Sequence, residues 1–593
     1  METQPKSGFF QQEILGHPVG LFVLFFTEMW ERFSYYGMRA ILILFLISKI
    51  SEGGWEWQRE EAYALYGWYV MLVYFLPMLG GWLADNKWGH VKTVLIGASI
   101  ITAGHVALAV SDLGAGFRFV FYIGLLLLVV GTGLFKPNMS SIVGKMYPPH
   151  SAKKDSAYTI FYMGVNAGAF LGTLLVGWTG EHYGWHLGFG LAGIFMFFGL
   201  LQFYFARNIF GEAAHRPQPK KIDLPEEERK KIVPFSTFDK MLAVSGILLV
   251  LIWIIHGLYK VVSRGDTWLP ENIYTLQLAG ETIRFDLTTF FFLGSIMLFI
   301  ILGLSRLQRF DPVERDRLTV IFIIAFFVIA FWASFEQAGT TMNVFAKDYT
   351  ARTLSEKWAL IYKIIDSVIS VIPIIILTYV IFRLFATIYK TYPLTVLFTS
   401  VSFLIIWILV ILRLKDKIGT DTPVVDTTWF QILNPVFIIS LAPVYSAVWK
   451  RYNIPAAWKF FIGFVFLGAG FGLLAIGARS IPPGAQTASV SMLWLVGAYL
   501  LHTMGELAIS PVGLSYVSKL APLRMTGFIF GIWYIFTGLA NKLSGMMAEA
   551  SENIATKHGI SAFFLIFTVI PILAGLIILS LNKFLKRKMH GVE

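Results

Sequence analysis

Glu28, Glu31, Arg32, Tyr35 and Arg39 are spaced i, i+3, i+4, i+7 and i+11, so on a helix they share one face, while Phe25, Phe26 and Phe33 cover others. The segment that carries them is otherwise apolar. A charge held at the middle of a bilayer costs roughly 2.5–3.5 kcal/mol on insertion scales, so one that persists faces a partner or water. More polar groups lie mid-segment further on: Lys136 in Phe135-Lys136-Pro137-Asn138, Asn166 in Val165-Asn166-Ala167-Gly168, Glu336 in Phe335-Glu336-Gln337-Ala338-Gly339, and Glu506 in Met504-Gly505-Glu506-Leu507. A single buried pair can be static glue between helices. Acids and bases drawn from both halves of a chain are explained more economically by one water-filled central cavity. Such a cavity suits a zwitterion: Arg32 and Lys136 for a carboxylate, Arg in two-point fashion, and Glu506 for an ammonium. Glu28, Glu31 and Glu336 offer a second chemistry. A carboxylate whose cationic neighbour moves away binds a proton more tightly, which links proton binding to conformation.

The elements that position these groups are membrane helices. The chain has 593 residues, 56% of them hydrophobic, and a mean hydropathy of +0.67, far more apolar than a soluble protein. Its 14% of charged residues are bunched between apolar runs of about 20 residues, the length a helix needs to cross roughly 30 Å of hydrocarbon. A barrel would alternate strictly over short segments, whereas Leu318 to Phe331 is apolar on every side. Residues 1–17 are polar and the first apolar run carries three charges, so no cleavable signal peptide is expected.

Apolar segments fall near 18–48, 60–84, 91–111, 118–144, 156–178 and 185–207, a first group of six. Asn208 to Lys240, with Pro217, Pro219, Pro225 and a Glu226–Lys231 charge run, reads as a solvated linker. Two segments follow near 241–260 and 287–305. A second set runs near 318–341, 365–387, 392–412, 429–449, 458–477, 489–510, 525–548 and 560–585, which makes about 14 to 16 crossings in all. The 48 Lys and Arg divide about two to one in favour of loops on the N-terminal side, which predicts cytoplasmic termini. That asymmetry also accounts for the net charge of +12 without nucleic acid. With no cysteine there is no disulfide or thiolate metal site, and no metal is expected. No Gly-rich phosphate loop, HExxH spacing or elbow serine argues for ATP-driven transport or hydrolysis.

The first segment reads Glu28-Met29-Trp30-Glu31-Arg32-Phe33-Ser34-Tyr35-Tyr36-Gly37 and the fifth Phe161-Tyr162-Met163-Gly164-Val165-Asn166-Ala167-Gly168. These resemble the E-x-x-E-R-F-x-Y-Y-G and F-Y-x-x-I-N-x-G signatures of the proton-dependent oligopeptide transporter family of the major facilitator superfamily, with Val165 for isoleucine. Gly80-Gly81-Trp82-Leu83-Ala84-Asp85, Gly131 to Asn138 and Ser510-Pro511-Val512-Gly513-Leu514 extend the likeness to both halves. The resemblance implies an all-α membrane protein with the major facilitator fold: two six-helix bundles around a central cavity, plus extra helices. On that plan 18–207 is the N-terminal bundle, 208–240 a cytoplasmic linker, 241–316 two extra helices, and 317–364 the first helix of the C-terminal bundle with a loop. Residues 413–587 complete that bundle. The stretch 365–412 is an inserted helical hairpin that the usual pattern lacks.

The implied activity is proton-coupled import of di- and tripeptides by alternating access, by a monomer in a bacterial inner membrane, with no cofactor beyond the coupling proton. Matching positions imply Arg32 and Lys136 for the peptide carboxylate and Glu506, Asn166 and Asn434 for its amino end. Glu28 and Glu31 handle the proton, and Glu336 partners Lys136 in a gating pair. Tyr35, Tyr36, Tyr69 and Trp533 line side-chain pockets. Asp85, ending the second segment, is expected at a gate or helix cap and not in the substrate site. Alternatives are a nitrate or small-metabolite carrier of the same family, against which Glu28, Glu31 and Lys136 argue, and a nontransporting peptide receptor. A membrane enzyme would need a catalytic dyad or metal motif.

Overall fold

A computed structural model describes residues 12–111, 117–148, 151, 153–215, 226, 231–278, 281–452 and 454–592. Residues 216–225 and 227–230 of the predicted linker, including Pro217, Pro219 and Pro225, lie outside the described residues. The long helices are α1 (Val19–Ile47), α2 (Arg59–Trp88), α3 (His90–Val110), α4 (Arg118–Lys145), α5 (Lys153–Tyr183) and α6 (Trp185–Ala206). Then come α7 (Thr237–Val262), α8 (Leu287–Leu307), α9 (Pro312–Phe335), α10 (Glu356–Ile388), α11 (Pro393–Gly419) and α12 (Trp429–Tyr452). The last four are α13 (Ala456–Gly477), α14 (Met492–Leu520), α15 (Thr526–His558) and α16 (Ile560–Ser580). Fourteen are long and apolar enough to cross a membrane. The other two, α1 with its charges and the more polar α15, are packed among them.

Helices α1–α6 form one bundle and α9 with α12–α16 the other, meeting along α2–α15 and α5–α12. The end holding the N-terminus of α1 and the C-terminus of α16 is called the base, the opposite end the crown. Glycines set the tightest contacts. On α5, a Cβ on Gly168 would lie 2.2 Å from Met29 O and one on Gly172 2.1 Å from Phe33 O, so small residues at four-residue spacing let α1 seat fully against α5. As a result α1 is buried throughout except at Tyr36, Arg39 and Ile47. A polar stripe on so central a helix can only face protein or cavity.

At the crown the bundles are joined by side chains. Arg59 at the start of α2 pairs with Asp348 (2.8 Å) and Glu552 (3.3 Å), and Lys347 Nζ donates to Ser48 Oγ (2.8 Å). Glu181 near the end of α5 accepts from the backbone N–H of Thr427 (2.8 Å) and Thr428 (3.0 Å) and from the Thr428 hydroxyl (2.9 Å), satisfying donors just before α12.

Helices α7 and α8 lie at the periphery, with 11% of the apolar window of α8 buried. The Ser236–Asp239 capping box starts α7 and Asp286 caps α8, while Trp253 stacks on Phe292 (4.3 Å) and sits 4.6 Å from Trp68 of α2. The inserted hairpin is longer than its apolar runs suggest. It spans Glu356–Ile388 and Pro393–Gly419, and Pro373 lies inside an otherwise continuous helix. The hairpin packs against the N-terminal bundle: Phe403 meets Phe26 and Trp30 (centroids 5.8 and 5.5 Å), and Thr395 donates to Gln202 O (3.2 Å). Its crownward end lies outside the apolar runs because it carries charged residues, and the helices continue through it because those charges pair. Arg413, fully buried, pairs in two-point fashion with Asp366 (2.7 and 2.8 Å), and Lys417 pairs with Asp426 (2.7 Å).

Candidate functional site: a charged cavity between the bundles

A cavity of about 640 Å³ lies between the two bundles, within the ~300–1,000 Å³ usual for small-molecule sites. From the N-terminal bundle it takes Glu28, Arg32, Tyr36, Arg39, Lys136 and Asn166, and from the C-terminal bundle Glu336, Asn434 and Glu506. Tyr158 and Tyr162 line its baseward end, and Tyr162 is 50% exposed there.

The α1 stripe forms the cationic wall. Arg32 Nε lies 2.7 Å from Glu28 Oε1 and 2.8 Å from Glu31 Oε2, while Arg32 Nη2 has no hydrogen-bond partner. One edge of the guanidinium is thus held by carboxylates, while Nη2 is a buried donor that no group of the protein satisfies. Lys136 comes from α4, just before Pro137, with its Nζ 4.3 Å from the centroid of Tyr74, and it lies in electrostatic range of Glu31, Glu28 and Glu336. Across the cavity, Asn434 Nδ2 donates to Glu506 Oε2 (2.8 Å) and Thr503 Oγ1 (3.1 Å), so the acid is oriented by α12. Asn166 Nδ2 donates to Tyr162 O (3.0 Å), and Asn166 lines the cavity from α5.

Some predicted residues are placed elsewhere. Tyr35, Tyr69 and Trp533 do not line the cavity. Trp533 packs instead beside Gly513 of α14, where an added Cβ would meet its ring at 2.8 Å, and the cavity-lining aromatic on α15 is the next residue, Tyr534. Neighbours on a helix point about 100° apart, so an apolar, aromatic-rich segment does not say which of two adjacent rings faces inward. Tyr35 and Tyr36 divide likewise: Tyr36 lines the cavity, and Tyr35 is buried edge-on against it (5.2 Å). Glu31 is fully buried behind Arg32 and is not part of the lining.

The pair expected between Lys136 and Glu336 is replaced in this structure by Arg39 and Glu336, with Arg39 Nε also donating to Tyr66 Oη. Arg39 lies two turns crownward of Arg32, level with the 3₁₀ turn Glu336–Gly339 that follows α9, whereas Lys136 sits nearer the base. Asp85 stays out of the cavity: its Oδ1 is 3.3 Å from His90 Nε2, and His90 Nδ1 is 2.7 Å from Asn138 Oδ1, which ties together α2, α3 and α4. Sequence reasoning did not assign Arg39 a partner, nor Tyr74, Trp332, Tyr499 or Gln431 to the lining. No spacing signal separates these from packing residues.

The model of the PTR2 family, the POT family, matches residues 91–405 and 387–566. The chain belongs to the POT family. The two matched stretches overlap at residues 387–405, inside the α10–α11 hairpin of this POT-family chain. It is 33% identical over 544 residues to the peptide transporter YePEPT of Yersinia enterocolitica, covering 90% of this chain and 88% of that one. It is 28% identical over 592 residues to a di-/tripeptide transporter of Lactococcus lactis, covering 98% and 99%, which carries the likeness through the α1 stripe. Among solved structures, a peptide transporter POT in complex with sulfate superposes with a TM-score of 0.69 at 30% identity, covering 98% of each chain. The two-bundle architecture is therefore the major facilitator fold, and this is a multi-pass membrane protein.

Proposed function

We propose that this protein is a symporter that imports di- and tripeptides together with protons by alternating access, as a monomer in a bacterial inner membrane with both termini in the cytoplasm. The observation that carries the reading is the division of charge across one cavity. Arg32 and Lys136 stand on the N-terminal side and the Asn434-held Glu506 on the C-terminal side. A zwitterion spanning the cavity places its carboxylate against the first and its ammonium against the second, so both bundles grip one ligand. Glu28 and Glu31, bound to Arg32, are the proton-handling groups. A peptide carboxylate that takes over Arg32 weakens its hold on them, and this couples ligand binding to proton binding without any other cofactor.

The crown contacts and the exposed Tyr162 at the base support an inward-facing conformation, with the base toward the cytoplasm. The positive-inside distribution of Lys and Arg agrees. The test is reconstitution in liposomes with an inward proton gradient, following labelled di- and tripeptides together with internal pH. Accumulation of intact peptide with acidification is the expected result. Binding without accumulation makes the protein a receptor, cleaved peptide makes it an enzyme, and sodium-dependent accumulation replaces the coupling ion.

A further inference from the structure

Lys542 is a charge inside α15 that the central cavity does not use: it is buried and is not part of that cavity's lining. A lysine held within a membrane helix is costly unless it meets a partner. Its Nζ lies 4.3 Å from the ring centroid of Trp68 on α2, and 3.7 Å from Oε1 of Glu549, which sits crownward on the same face of α15. The first contact crosses between the bundles, and the second stays within one helix. We propose that Lys542 and Trp68 form a latch across the α2–α15 seam, which holds the crown closed and leaves the ammonium to Glu549 when the crown opens. The latch rests on the alternating-access reading and names the residues that set its equilibrium.

The seam brings the two helices close at glycine. A Cβ on Gly545 would lie 2.7 Å from Gly67 Cα, so the backbones of α15 and α2 touch beside the latch. The next residue along α2 is Trp68, and its indole is wedged in place from behind by α7. Trp253 packs on it with centroids 4.6 Å apart, and a Cβ on Gly257 would lie 2.0 Å from the ring, so only glycine leaves it room there. The ring is therefore held in position before the ammonium meets it.

Trp68 is 4% exposed and Lys542 6%, so the cation meets the ring face out of water, where that attraction is strongest. Glu549 offers the alternative. At 3.7 Å its Oε1 is too far for a hydrogen bond to Lys542, and it accepts none from the other described residues. Its side chain is 35% exposed, and Lys260 and Glu60 are the other charges in electrostatic range. When α2 and α15 separate, the ring leaves with α2, while Glu549 travels with Lys542 on α15. Opening thus loses the ring contact without stranding a buried charge, which is what a releasable latch requires.

The chain has no cysteine, so Gln58→Cys before α2 and Thr556→Cys near the end of α15, both exposed at the crown, can carry spin labels in the full-length protein. Pulsed electron spin resonance in nanodiscs, with and without a dipeptide, reads the distance between them. The labelled parent is expected to show a short and a long distance, the closed and the open crown. Trp68→Leu and Lys542→Met should each raise the ratio of long to short about 10- to 30-fold, the effect of losing a cation–π contact shielded from water. Lys542→Met/Glu549→Gln leaves no acid stranded and should match Lys542→Met, while Trp68→Phe, which keeps a ring, should shift less than Trp68→Leu. Trp68→Leu/Lys542→Met should shift no further than either single variant. An unchanged ratio in Lys542→Met/Glu549→Gln, or shifts that add in Trp68→Leu/Lys542→Met, overturns the latch while leaving alternating access intact. A parent with one fixed distance under both conditions overturns alternating access itself, and the latch with it.

Discussion

The Arg39 guanidinium, on the first helix of one bundle, is ion-paired with the Glu336 carboxylate, on the turn that follows the first helix of the other. The link is part-buried and lies on the crown side of the cavity, so it has to break for the crown to open. Removing one partner of a buried pair costs about 3–5 kcal/mol, because the other charge is stranded, whereas replacing both by apolar groups is close to neutral. Glu336→Gln and Arg39→Leu are each expected to lower thermal stability in detergent markedly and to cut uptake more than tenfold. The double variant Arg39→Leu/Glu336→Leu should regain stability but not uptake. A double variant as unstable as either single one would show that the pair does not act as a unit.

Glu506→Gln keeps a hydrogen-bonding side chain beside Asn434 but removes the charge. Hydrogen bonds to charged groups contribute about 1.5–3 kcal/mol, so affinity for peptides with a free amino end should fall about 10- to 100-fold. N-acetylated peptides should bind the variant and the wild type equally. Competition in counterflow exchange measures both.

Glu28→Gln and Glu31→Gln each remove an acid bound to Arg32 while preserving shape. Gradient-driven accumulation should be lost in both variants, and peptide-for-peptide exchange at equal pH should persist, because exchange needs no net proton movement. Undiminished concentrative uptake in both variants removes these acids from coupling.

The crown contact between Glu181 and Thr427–Thr428 joins α5 to α12, and the chain has no cysteine to interfere with labelling. Glu181→Cys with Thr427→Cys, joined by a short bifunctional thiol reagent, should abolish transport in liposomes, and a reagent with a cleavable spacer should allow recovery on reduction. Transport that continues while the two sites are joined would exclude opening of the crown at this seam.

Arg413 holds Asp366 and lies 3.8 Å from Asp426 inside the inserted hairpin. Arg413→Ala strands the buried Asp366 carboxylate, while Asp426 keeps Lys417, and should destabilise the protein by about 3–5 kcal/mol. Because α11 packs on α6 of the N-terminal bundle while Asp426 immediately precedes α12, the same variant should loosen the start of α12, read as faster backbone hydrogen exchange over residues 426–433 than over α13.

Much of this protein was written locally. Every long helix announces itself as an apolar run, since each must satisfy its own backbone hydrogen bonds within the bilayer, and a charge inside such a run stands out by its cost. Thus Arg32, Lys136, Glu336 and Glu506, with the polar Asn166, were legible as cavity residues before any coordinates, Asn434 only through the family resemblance, and the apolar runs of α10–α11 and of α7–α8 were legible too. Partnership was not legible. Whether Glu336 meets Lys136 or Arg39 depends on how far the two bundles have rocked and at what depth each helix carries its charge. That Trp533 turns toward α14 and Tyr534 toward the cavity depends on the rotation of one helix against its neighbours. Helix periodicity fixes the angle between successive side chains, but the direction in which the set points is chosen by packing, and contacts between residues about 300 positions apart have no local signature.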